Sequence, residues 1–123
     1  MCIRDSTYAF SNTSNTGVVT QQTSKSTSVT ANCTFGQIIM NNAALAGGAS
    51  VTFTVNNSYV QHIGDVPFVS IQNPITTPNP YQVSVGGVRS GSFDISINNT
   101  SIGGGSSHSD AIVLNWALMR VGS

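Results

Sequence analysis

The sequence predicts an all-β domain: a single, jelly-roll-like β-sandwich of about eight short strands. Three observations carry this. Ser50-Val51-Thr52-Phe53-Thr54-Val55-Asn56-Asn57 sets Val51, Phe53 and Val55 in alternation with Thr52, Thr54 and Asn56, the two-residue period of a strand with one buried and one wet face. Ser, Thr and Asn together make up 43 of the 123 residues, and these short side chains bond to nearby backbone and favour strands and turns over helices. Short apolar-rich runs also follow one another with Gly, Pro and Asn between them, the spacing of a sandwich.

In chain order, Met1-Cys2-Ile3-Arg4-Asp5-Ser6 differs from the rest, with two of the eight charged residues and one of the two cysteines in six positions. It resembles translated sequencing-adapter sequence and reads as non-native; no apolar stretch follows it to make a signal peptide. Thr7 through Thr16 is a Ser/Thr/Asn tract in which only Tyr8, Ala9 and Phe10 are apolar. Residues 1–16 therefore read as a flexible N-terminal arm, and 17–123 as the β-sandwich domain. Strands are expected over 18–21, 28–32, 36–40, 51–56, 66–71, 81–85, 92–98 and 111–119. Gly47-Gly48, Asn73-Pro74, Pro78-Asn79-Pro80, Gly86-Gly87 and Gly103-Gly104-Gly105 fall between them as turn signals.

Two stretches need separate treatment. Asn42-Ala43-Ala44-Leu45-Ala46 is helix-forming material closed by two glycines, and reads as one helical turn in a loop. Ala111 through Met119 is a near-continuous apolar run. Its Ile-Val-Leu content describes a central strand covered on both sides, while Asp110 as a cap and Gly122 as a stop describe a competing helix. The strand is the preferred reading.

Charged residues are only 7% of the chain, the net charge is zero, and there is no Glu. The electrostatic footprint of a nucleic-acid partner or a polybasic membrane contact is missing, and no run approaches the roughly 18 apolar residues of a membrane span. A soluble domain with neither nucleic acid nor membrane as partner is expected. So little charge also protects poorly against self-association, which points to assembly.

Chemistry is sparse. With Cys2 set aside, Cys33 reads as an unbridged, small apolar residue rather than a nucleophile. His62 with Asp65 and His108 with Asp110 are the only His/carboxylate neighbours, too few donors for a metal site, and read as solvated loop residues. There is no Gly-x-Ser-x-Gly elbow. Paired carboxylates for glycoside cleavage would have to come from Asp65, Asp94 and Asp110. Lys25 has no phosphate-loop glycines before it. The glycosylation-type tripeptides at Asn12, Asn32, Asn56, Asn98 and Asn99 are matches expected by chance in such a composition. No catalytic, cofactor-binding or metal-binding residue is assigned, and no cofactor is expected.

Several blocks, taken in order, resemble a family of small phage and prophage virion-surface proteins. They are Val19 through Thr30 with its Thr23-Ser24-Lys25-Ser26-Thr27 centre, Gly36-Gln37-Ile38 with Met40, Ala43-Ala44-Leu45-Ala46, the 50–57 strand with Ser58, Gly91-Ser92-Phe93, and Ser109 through Ala117. Members stand alone as head decoration or fibre proteins, or end longer tail-fibre chains. The resemblance spans roughly residues 17–122. It implies a β-sandwich, frequently trimeric, without enzymatic activity, located at the virion surface with capsid or tail proteins as partners. The Pro74–Pro80 segment is richer in proline than the family's loops, and Trp116 stands where a Phe is usual.

Two function classes follow. One is a non-enzymatic structural component of the virion, as head decoration or tail-fibre module, forming a homo-oligomer such as a trimer. The alternative is a carbohydrate- or receptor-binding module facing a host surface glycan, with Tyr59, Tyr81 and Trp116 as stacking platforms. They are told apart by whether those rings lie exposed together or buried apart.

Overall fold

The computed structural model describes residues 18–61, 64–73, 80–101 and 107–120. The expected arm at 1–16, His62, the prolines at 74 and 78 and the glycines at 103–105 lie outside the described residues. Eight strands are present: β1 (Val18–Thr20), β2 (Val29–Thr30), β3 (Phe35–Ile39), β4 (Ser50–Asn56), β5 (Asp65–Asn73), β6 (Tyr81–Arg89), β7 (Ser92–Asn99) and β8 (Val113–Arg120). They form two four-stranded sheets, β1-β3-β8-β5 and β2-β4-β7-β6, packed as a β-sandwich. The eight strands fall on the eight runs expected from the sequence, and 111–119 is a strand.

Alternation explains the second sheet directly. Phe53 and Val55 of β4 and Phe93, Ile95 and Ile97 of β7 point inward and are buried, while Thr52, Thr54, Ser96 and Asn98 point outward. The other sheet answers with Ile38, Leu114 and Trp116, and the Phe93 and Trp116 rings meet across the core at 6.5 Å. Met40, Leu45, Val60 and Ile112 close the same cluster from the connecting segments.

Four details depart from the sequence reading. The pairings β1/β3 and β2/β4 are parallel, so the strands are not arranged as the all-antiparallel Greek keys of a jelly roll. Residues 42–46 form no helical turn. The Asn41 side chain accepts the Ala43 N–H at 2.8 Å, and buried Leu45 forms an antiparallel bridge with His108; five residues cannot offset the cost of helix nucleation against those contacts. Gly86-Gly87 does not end its strand. β6 runs on to Arg89 through a bulge, in which Gly87 takes a φ of +60° and a Cβ would stand 2.4 Å from Asp94 Oδ2. The true reversal is Ser90-Gly91, where Gly91 adopts a φ of +91° that side chains avoid. Finally, Cys33 is buried as expected but its sulfur is bonded in a disulfide, which corrects its reading as an unbridged thiol. The chain's other cysteine, Cys2, lies outside the described residues.

Candidate interaction surface

Three regions among the described residues are candidates for function, two polar and one largely apolar. At one end of the sandwich, Ser24–Thr27 forms a tight turn closed by the Thr27 N–H to the Ser24 carbonyl at 3.2 Å. This drives the Lys25 side chain inward, leaving it only 4% exposed. Its ammonium donates to the backbone carbonyls of Asn41 and, at 2.7 Å, Asp110. Gln21, equally buried, donates to the Lys25 and Thr27 carbonyls and accepts the Asn41 N–H. Burial pulls the Lys25 ammonium below its ordinary value, against the opposing charge of Asp110. Tyr81, at the start of β6, donates its hydroxyl to Asp110 Oδ2 at 2.7 Å. Burial first, then that hydrogen bond and charge, push its phenol well above the usual range. The Thr-Ser-Lys-Ser-Thr block is thus a pin tying the β1–β2 crossover to segments leading out of β3 and into β8.

The second cluster is the outer face of the β2-β4-β7-β6 sheet. Cross-strand rows of hydroxyls and amides cover it: Thr52 with Ser96 at 2.7 Å, Ser50 with Asn98 at 2.6 Å, and Thr54 donating to Asp94 at 2.9 Å. Arg89 caps it with an ion pair to Asp94 at 2.9 Å and a hydrogen bond to Ser92. The hydrogen bond from Arg89 holds the Asp94 carboxyl below its ordinary range, with Thr54 adding and burial opposing.

The third is the outer face of the β1-β3-β8-β5 sheet, and it is of the opposite kind. Strand register stacks Val66 beside Met119, then Phe68, Ala117 and Phe35, then Ser70, Asn115, Gln37 and Val18, and finally Val113, Ile39 and Thr20. None of these side chains is charged. Val18 at 51%, Phe68 at 52% and Met119 at 52% are the exposed large hydrophobics among the described residues, and all three lie on this one face. Gln37 donates to Gln72 and, at 3.1 Å, to Asn115, making an amide row across the middle. Phe68, Ser70, Asn115 and Ala117 border a depression of about 320 Å³ whose floor includes Val69 and Trp116.

The expected candidate residues do not converge. Asp65 is buried and accepts the Gln61 N–H at 2.8 Å, Asp94 pairs with Arg89, and Asp110 with Tyr81, so the three carboxylates each serve a different neighbour. Among the described residues, no three His, Cys or Asp side chains group as metal donors. His108 sits edge-on to the Tyr81 ring, 6.2 Å between centroids. Of the glycosylation-type asparagines, Asn99 is fully buried and donates to the Leu45 carbonyl. Tyr81 and Trp116 are core residues, 6% and 3% exposed, so neither offers a ring face as a stacking platform; Tyr59 is half-buried. The sequence reading missed the apolar outer face. Its signal was the near-continuous run in β8, read as a strand covered on both sides and covered on one by the described residues.

Compared with protein-family models, curated proteins and solved structures, the chain matches none of them.

Proposed function

We propose that this domain is a non-enzymatic structural module of a phage virion surface, a head decoration protein or tail-fibre module, that works by packing against other protein. The observation that carries the reading is the largely apolar outer face of the β1-β3-β8-β5 sheet, where Val18, Phe68 and Met119 stand exposed and no described side chain is charged, although a solvated monomer would place mostly polar residues there. The sequence blocks between residues 17 and 122 that resemble virion-surface proteins supply the setting, with capsid or tail proteins and further copies of the chain as partners. The glycan-binding alternative drew on three rings, and two of them are in the core. Mixing the purified protein with phage particles tests the proposal. A decoration protein co-sediments with heads, and a fibre module binds host cells. Binding to neither, with hydrolysis of a polysaccharide, would overturn it.

A further inference from the structure

We draw no further inference here: the strongest candidate, the largely apolar outer face of the β1-β3-β8-β5 sheet with its depression between β5 and β8, carries none because nothing in the structure shows what covers it.

Discussion

The two central strands β7 and β8 lie over one another in the sandwich and follow different rules. Along β7, Phe93, Ile95 and Ile97 alternate with Asp94, Ser96 and Asn98, and the outward residues bond across to Ser50, Thr52 and Thr54. Along β8, Leu114 and Trp116 alternate with Val113, Asn115, Ala117 and Met119, so the outward residues are nearly as apolar as the inward ones. The inner faces are equivalent and the outer faces are not. A strand's inward residues tell of the fold, and its outward residues tell of what it is meant to touch.

The largest test asks whether the inner faces really are equivalent. Phe53→Ala on one sheet should cost about 3–5 kcal/mol and Leu114→Ala on the other about 2–5 kcal/mol in chemical denaturation. A loss below 1 kcal/mol at either would mean that its sheet does not share the common core. Next comes the pin at the crossover between sheets. Lys25→Met leaves the Asn41 and Asp110 carbonyls without their donor, and the loss should be about 2 kcal/mol, reduced by relief of the buried charge. A more stable variant would show that desolvation of the ammonium dominates.

The outer polar face should contribute little. Asp94→Asn removes a surface ion pair and should cost under about 1 kcal/mol. Its pH signature has a definite sign. The folded pKa of Asp94 is lowered, so its contribution is complete above the unfolded value of about 3.9 and fades as pH falls through the folded one. Wild type and Asp94→Asn should therefore converge in stability in acid; a gap that widens there would contradict the pairing. The smallest effect is expected at Trp116→Phe. The Trp116 Nε1 is buried with no hydrogen-bond partner among the described residues, so the substitution trades lost packing against removal of an unmet donor worth roughly 1–3 kcal/mol. Thermal melts should agree within a few degrees, and a steep loss would mean that the indole N–H is satisfied after all.

The positions of all eight strands were legible because burial imposes a local period, as at Val51, Phe53 and Val55. What was illegible depends on distant partners. Nothing near Lys25 announces that its ammonium reaches carbonyls sixteen and 85 residues away. Gly86-Gly87 has the local composition of a turn, and only its pairing with β7, with Gly86 opposite Asp94, shows it to be a bulge. Leu45 looked helical by propensity until His108 offered its backbone. The apolar run of β8 was legible, but that the second sheet covers only its Leu114 and Trp116 side could be seen only once that sheet was in place.

The Gly86-Gly87 bulge bears on how the sheet margins are protected. Sheets aggregate when a straight, unpaired edge offers its backbone to another chain, and a bulge bends such an edge out of line. β6 is the edge of its sheet and carries this irregularity beside the Arg89–Asp94 pair; the opposite sheet's edge strand β5 has Pro67, which donates no hydrogen bond. Growth by strand addition is therefore discouraged along both of these margins. In a chain with so few charges to blunt its strand edges, a bulge on one margin and a proline on another supply that protection in another form.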